Sequence, residues 1–294
     1  MSPTADPGLV AGEVEAGGLS FRTFTAGQGE RLVLLLHGFP STSAMWEPVI
    51  DHLRSEDRTV IAFDQRGYSP GARPTEVEAY GRQQLVGDVV AVADALGFDR
   101  FDVIGHDWGG AVAWGIAATH PDRVRSVASV STPHPDALVE AFGLPSGDQA
   151  QRSSYMQLFS SEVGKAEAEL LDASHGGLEA QHRRWGMDDF QSDTAGRVRR
   201  QTEALSEPGA LTGALNWYRR GFEWAGLGPV EVPALYVWPT EDAALGREAA
   251  ELTRNYVTGP YRFVELDGIS HWAVEQDPAR VGLELSEHLA ALRD

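Results

Sequence analysis

Three residues could carry nucleophilic chemistry, and their order along the chain is informative. Asp107 is the centre of Gly105-His106-Asp107-Trp108-Gly109, between the apolar run Phe101-Asp102-Val103-Ile104 and an Ala-rich segment. Small residues at both ends of such a turn let a strand pass abruptly into a helix and lift the central side chain clear of the sheet. An aspartate there can also be an ordinary helix N-cap. The buried strand before it and the helix after it favour the nucleophile. Asp242 follows a second apolar run, Pro233-Ala234-Leu235-Tyr236-Val237-Trp238, and His271 lies in Leu266-Asp267-Gly268-Ile269-Ser270-His271-Trp272, just after the last expected strand. Glu241 competes with Asp242 for the acid position, and Asp242 is preferred. A carboxylate nucleophile attacks saturated carbon by displacement and forms an alkyl ester with the protein. Water deprotonated by His271 would then cleave that ester at its carbonyl carbon, with Asp242 orienting the imidazole. Such chemistry requires a leaving group on saturated carbon, which epoxides and alkyl halides both supply.

The elements that must position these residues follow a regular rhythm. Residues 11–25 read as two short strands joined at Gly17-Gly18. Residues 31–36 form a continuous apolar run ending at His37-Gly38, which suits a strand buried on both faces. Residues 44–53 read as helix and 59–63 as a second buried strand, followed by the loop Asp64-Gln65-Arg66-Gly67-Tyr68-Ser69-Pro70-Gly71. Leu85, Val89, Val92 and Leu96 give 80–96 a helical spacing, with Gly97 as C-cap. A helix is expected from the Asp107 turn to about His120, ended by Pro121, and a strand over 124–130. From about Pro133 to Gly228 no strand pattern appears. The rhythm resumes at Pro233, with a helix at 246–256, a last strand at 261–266 and a helix from Pro278. Strands alternating with helices imply an α/β fold with a mostly parallel central sheet flanked by helices. The expected division is a core of 1–132 and 229–294, carrying a helical cap inserted at 133–228.

Composition narrows the function. The chain has 294 residues, 42% hydrophobic and 23% charged, as in a globular protein able to bury a sizeable core. No run approaches the roughly 20 apolar residues that span a bilayer. Met1-Ser2-Pro3-Thr4-Ala5-Asp6-Pro7 has neither a basic region nor an apolar run, and is read as no secretory signal. Against 24 basic residues stand 43 acidic ones, a net charge of −19, which argues against nucleic acid and anionic membrane surfaces as partners. There is no cysteine, so thiolate catalysis, disulfides and Cys-ligated zinc drop out, and a reducing cytoplasm fits. Lys165 is the only lysine and so the single candidate for Schiff-base chemistry. Oligomeric state is left open, a homodimer included.

With these motifs in hand, the chain resembles an α/β-hydrolase of the soluble epoxide hydrolase type over about residues 20–290. The resemblance is carried by His37-Gly38-Phe39-Pro40, Asp64-Gln65-Arg66-Gly67-Tyr68-Ser69, Gly105-His106-Asp107-Trp108-Gly109-Gly110 and Ser270-His271-Trp272. It implies the α/β-hydrolase fold and an oxyanion hole from the N–H groups of Phe39 and Trp108. Both side chains are then expected at the substrate as well. It also implies two cap tyrosines that polarise the epoxide oxygen. Tyr155, in Tyr155-Met156-Gln157-Leu158-Phe159, and Tyr218, in Leu215-Asn216-Trp217-Tyr218-Arg219, match that pattern. A phenol of pKa near 10 is still a donor at neutral pH. The implied substrate is a small uncharged apolar epoxide, opened to a vicinal diol without cofactor or metal. Pro239 stands where the family commonly has glycine, and Ser160-Ser161-Glu162-Val163 lacks a proline often found there. Asp64 and Arg66 are expected to form a structural pair.

Alternatives remain. Haloalkane and haloacetate dehalogenases use the same Asp-His-acid set. In them, however, asparagine often follows His-Gly, where this chain has Phe39, or arginine follows the nucleophile, where it has Trp108. A serine esterase is disfavoured because the elbow has no serine. A non-catalytic small-molecule receptor on this fold is the reading from another class. Arg183, Arg184, Arg197, Arg199, Arg200, Arg219 and Arg220 read as a solvated cap surface, or as a patch that greets anionic substrates.

Overall fold

The computed structural model describes residues 8–292, apart from 146, 173, 175, 185, 187–191 and 222. The stretch Met1–Pro7 therefore lies outside the described residues. The first half contains β1 (Val10–Ala16), β2 (Leu19–Ala26), β3 (Arg31–Leu36), α1 (Glu47–Leu53), β4 (Arg58–Phe63), α2 (Arg82–Ala95), β5 (Phe101–His106), α3 (Trp108–Thr119) and β6 (Val124–Val130). The described elements that follow are all helical: α4 (Pro135–Phe142), α5 (Gln149–Arg152), α6 (Met156–Phe159), α7 (Lys165–Leu171), α8 (Glu179–Arg184), α9 (Ser192–Leu205) and α10 (Ala210–Arg219). The chain then forms β7 (Ala234–Pro239), α11 (Arg247–Leu252), β8 (Tyr261–Leu266), α12 (Ala273–Gln276) and α13 (Pro278–Ala291).

The eight strands form one sheet in the order β1-β2-β4-β3-β5-β6-β7-β8. The β1–β2 and β2–β4 pairs are antiparallel and the rest parallel. Helices on both faces explain why β3 reads Arg-Leu-Val-Leu-Leu-Leu rather than alternating. Leu32, Leu34 and Leu36 pack into the core beneath α2 and α3, while Val33 and Leu35 enter the core formed with α1 and α13. From β3 the chain steps outward to β4, then returns to lay β5 on the other side of β3. Ligands bind at such reversals, outside the C-terminal strand ends. Leu36 pairs with Gly105, so the loops opening at His37 and Asp107 leave the sheet side by side. Pro239 pairs with Leu266, which does the same for the loops of Asp242 and His271.

The segment between β6 and β7 is tied to the rest by polar contacts. Trp217 Nε1 donates to the Arg66 carbonyl at 2.9 Å, and Arg73 Nη2 reaches Glu207 at 2.7 Å. Of its arginines, Arg183, Arg184, Arg199 and Arg200 are exposed, as a solvated surface requires, whereas Arg219 is drawn inward. Arg219 is buried against Glu167 at 2.7 Å and donates to the Ser161 carbonyl. Arg200 pairs with Glu47 at 2.5 Å, and Arg220 pairs with Glu223. The expected Asp64–Arg66 pair does not form, because the two side chains leave the loop in different directions. Asp64 accepts from Ser43 N–H and Oγ–H, at 2.8 and 2.6 Å, and lies 3.5 Å from Arg22. Arg66 grips both oxygens of Asp88, at 2.7 and 2.6 Å.

Close backbone approach at the elbow makes Gly109 indispensable. A Cβ there would fall 2.2 Å from the Leu36 carbonyl oxygen and 2.6 Å from that of His37. Backbone atoms of a central strand cannot yield. We expect Gly109→Ala to cost about 2–4 kcal/mol of stability, read as a lower urea midpoint. A midpoint within error of wild type would show that the elbow tolerates a wider approach.

Candidate active site

Asp107 has φ 52° and ψ −123°. A left-handed conformation of this kind costs an L-residue about 1–3 kcal/mol and persists only when its surroundings enforce it. Here they do. The Asp107 carbonyl accepts from Thr132 Oγ1 at 2.8 Å and from the Gly110 N–H at 2.9 Å. Gly38 lets the neighbouring loop pass so close that a Cβ on it would stand 2.3 Å from Asp107 Cβ. That proximity brings the Phe39 N–H to Asp107 Oδ1 at 2.8 Å. Trp108 follows directly as the first residue of α3.

The second carboxylate oxygen, Oδ2, lies 3.6 Å from His271 Nε2, and His271 Nδ1–H donates to Asp242 Oδ2 at 2.8 Å. The other Asp242 oxygen accepts from the Ala244 and Leu245 N–H groups at 2.8 and 2.9 Å. Asp242 and His271 are each 1% exposed, whereas Glu241 is exposed. Of the two neighbouring acids, it is Asp242 that meets the imidazole. Pro239 closes β7 without preventing this: its carbonyl accepts from the Asp242 N–H at 3.2 Å.

His271 must reach back across the ends of β7 and β6 to meet a residue that follows β5. Its carbonyl oxygen is the anchor, accepting from His106 Nε2–H and Ser131 Oγ–H, both at 2.9 Å. Ser131, at φ 68°, is a second residue strained for this purpose. Sequence reading missed Ser131, Thr132 and the role of His106. The available signal was their position at the C-terminal ends of β6 and β5.

Charge and burial set the protonation states. For Asp107, burial favours the neutral acid. The hydrogen bond and charge of His271, with His106 and the Phe39 N–H, outweigh it and hold the carboxyl below its ordinary range. For His271, burial opposes the cation, but Asp242 and Asp107 raise it from 6.5 to about 10. At neutral pH the group is thus a buried imidazolium between two carboxylates. His106 stays neutral, pushed down to about 4 by burial and by the nearby His271 charge. His37 is also neutral: its Nε2 accepts from the Gln65 N–H at 3.0 Å, and burial lowers its pKa.

Above Asp107 lies a cavity of about 40 Å³, lined by Asp107, Trp108, Leu138, Tyr155, Tyr218 and Leu245 among others. The Tyr155 and Tyr218 rings are 6.3 Å apart, edge to face. Burial, then the charge of Asp107, raises both hydroxyls well above an ordinary phenol, so both keep their protons. The structure thus brings Asp107, Trp108, Tyr155 and Tyr218 to one space. The Phe39 ring does not line it; it packs behind, 5.5 Å from Tyr218 and 5.1 Å from Phe159. Phe39 contributes its backbone N–H, and its side chain supports the tyrosine. Among the described residues no cluster of three or more His, Asp or Glu side chains is arranged to hold a metal ion. None of their helices is long and apolar enough to cross a membrane.

Residues 31–278 match the family model of the alpha/beta hydrolase fold. Epoxide hydrolase A of Mycobacterium tuberculosis is 33% identical, over 95% of this chain and 97% of its own. Mouse epoxide hydrolase 4 is also 33% identical, over 90% of this chain and 75% of its own. The crystal structure of epoxide hydrolase A from Mycobacterium thermoresistibile superposes with a TM-score of 0.79 at 32% identity, covering 97% of this chain and 99% of that one. The chain belongs to the α/β-hydrolase family, in the group that contains the epoxide hydrolases.

The charge arrangement predicts a linked titration. Asp107→Asn removes one of the two carboxylates that hold the His271 proton, so the imidazole should titrate well below 10 when followed by NMR. Because the folded pKa is raised, the stabilisation is complete below pH 6.5 and lost as pH rises through 10. The wild type should therefore lose stability across that window more steeply than Asp107→Asn. Identical slopes would mean that His271 is not charged in the folded protein.

Proposed function

We propose that this protein hydrolyses epoxides to vicinal diols through an alkyl ester on Asp107. The observation that carries the reading is an elbow aspartate facing a cavity that it shares with two protonated phenols. Asp107 Oδ2 attacks an epoxide carbon; the new carbon–oxygen bond forms as the ring carbon–oxygen bond breaks. Tyr155 and Tyr218 hold the departing oxygen and deliver the proton it needs. Oδ1, already at the Phe39 N–H, becomes the carbonyl oxygen of the ester.

Esterification removes the negative charge of Asp107. With one carboxylate left beside it, His271 gives up its proton, which restores the phenol through solvent. Neutral His271 then takes a proton from water, and the hydroxide adds to the ester carbonyl. The oxyanion is met by the Phe39 N–H and the Trp108 N–H. Collapse expels the diol oxygen, which is reprotonated by His271, and the freed acid of Asp107 returns a proton to His271. The cycle consumes one epoxide and one water, and no net proton. Asp242 keeps the imidazole oriented throughout.

In this reading residues 133–228 are a cap over the cavity, and Leu138, Tyr155, Met156 and Tyr218 are the cap residues that line it. An apolar lining favours an uncharged epoxide.

His271→Gln should permit one alkylation and trap the ester, seen by mass spectrometry on the peptide containing Asp107. Normal turnover by that variant would remove His271 from the hydrolytic step. Replacing Tyr155 and Tyr218 together by Phe should slow epoxide opening by about 10²–10⁴-fold, with far less effect on alkyl bromides. Equal losses on both substrates would reduce the tyrosines to packing. A screen that yields halide but no diol would move the chain to the dehalogenases.

A further inference from the structure

One turn beyond His271, α12 buries a carboxyl group that the reaction above does not use. Glu275 is 4% exposed, and its backbone N–H donates to the Trp272 carbonyl at 3.0 Å. Its Oε1 accepts from Nε2 of Gln201, a fully buried residue of α9, at 3.0 Å. The two remaining side-chain oxygens, Glu275 Oε2 and Gln201 Oε1, are both buried, and neither has a hydrogen-bond partner among the described residues. Buried polar atoms are nearly always paired. An ionised carboxylate oxygen and an amide oxygen are both acceptors and cannot satisfy each other. A single proton removes the conflict, because on Oε2 it turns that oxygen into a donor toward the amide carbonyl.

We propose that Glu275 is a positioning residue held as the neutral acid, joined to Gln201 by a two-hydrogen-bond acid–amide ring that clamps α9 to the turn carrying His271. Its surroundings support this. Burial pushes the carboxyl from 4.5 up to about 7, although the Gln201 hydrogen bond and the charges of Arg197 and His271 pull it down. From α9, Arg197 is the charge that faces it. Arg200, beside Gln201, turns instead to Glu47 of α1, and Asp277 caps α13 through the Arg280 N–H. On its own turn the titratable neighbour is His271. Thus α9 meets the core through an exposed pair, Arg200–Glu47, and a buried one, Gln201–Glu275. Above pH 7 the ring loses its proton, two acceptors face each other, and the brace behind His271 weakens. Its effect on turnover rests on the reading of His271 as the base; the clamp itself does not.

The decisive variant is Glu275→Gln, whose amide can close the same ring with Gln201 and does not titrate. Infrared difference spectra should show a protonated-carboxyl band in the wild type at about pH 5.5 that fades above pH 7 and is missing from Glu275→Gln. A carboxyl raised in the folded state adds stability fully below the unfolded value of 4.5 and loses it as pH rises through 7. The melting temperature of Glu275→Gln should therefore gain on the wild type between about pH 5 and about pH 8. With an epoxide as probe, wild-type kcat should fall several-fold above pH 7 while that of Glu275→Gln stays level. Gln201→Leu, which cannot close the ring, should be impaired at every pH. Absence of the band, together with destabilisation of Glu275→Gln at acid pH, would indicate an ionised Glu275 paired with Arg197 and overturn the proposal. Should no variant turn over an epoxide, the spectra and melting curves still decide the clamp, and only the functional reading falls.

Discussion

The site depends on one backbone torsion. At φ 52°, Asp107 is held where an L-residue does not rest by choice, and the neighbouring groups exist to enforce it. Gly109 passes against the Leu36 carbonyl, Gly38 passes against the Asp107 side chain, and Thr132 fixes the Asp107 carbonyl. The result is a carboxylate lifted off the sheet with one oxygen on the Phe39 N–H and the other toward His271. Relaxing that torsion would turn the carboxylate away from both.

Electrostatics then link the three polar residues. Asp107 and Asp242 flank a buried imidazole, and each would be costly to bury without it. The proton on His271 is what makes the resting arrangement stable. In the proposed cycle it also equals the proton that an opened epoxide requires, so loss of the Asp107 charge is the event that converts His271 from a cation into a base. The anchoring of the His271 carbonyl by His106 and Ser131 keeps the ring in place while its charge changes.

The segment between β6 and β7 supplies the other half of the cavity. Tyr155 and Tyr218 come from different helical pieces of it, yet converge because α10 lies against the loop after β4 through Trp217 and Arg66. The Phe39 ring fills the space behind Tyr218, so one short loop both supports the Asp107 carboxylate and braces a phenol.

Much of this was legible in the chain itself. The strands at 31–36 and 59–63 stand where nearly unbroken apolar runs imply them, since a parallel sheet covered on both faces leaves little need for alternation. The elbow was legible because a tight strand-to-helix turn demands small residues at fixed spacing. The order aspartate, acid, histidine followed from which loops open at strand ends. The tertiary structure decided what depends on partners distant in the chain. Asp242 and Glu241 are chemically alike neighbours, and only the turn after β7 directs one inward and the other to solvent. Asp64 and Arg66 looked like a pair but bind Ser43 and Asp88, because the loop after β4 sends the two side chains to partners on different segments. Arg219 reads as surface charge until α7 brings Glu167 to it. Glu275 and Gln201, 74 residues apart, carry no mark in sequence. Local propensity and periodicity are written in neighbouring residues, whereas protonation, pairing and cavity size arise only where remote segments exclude water together.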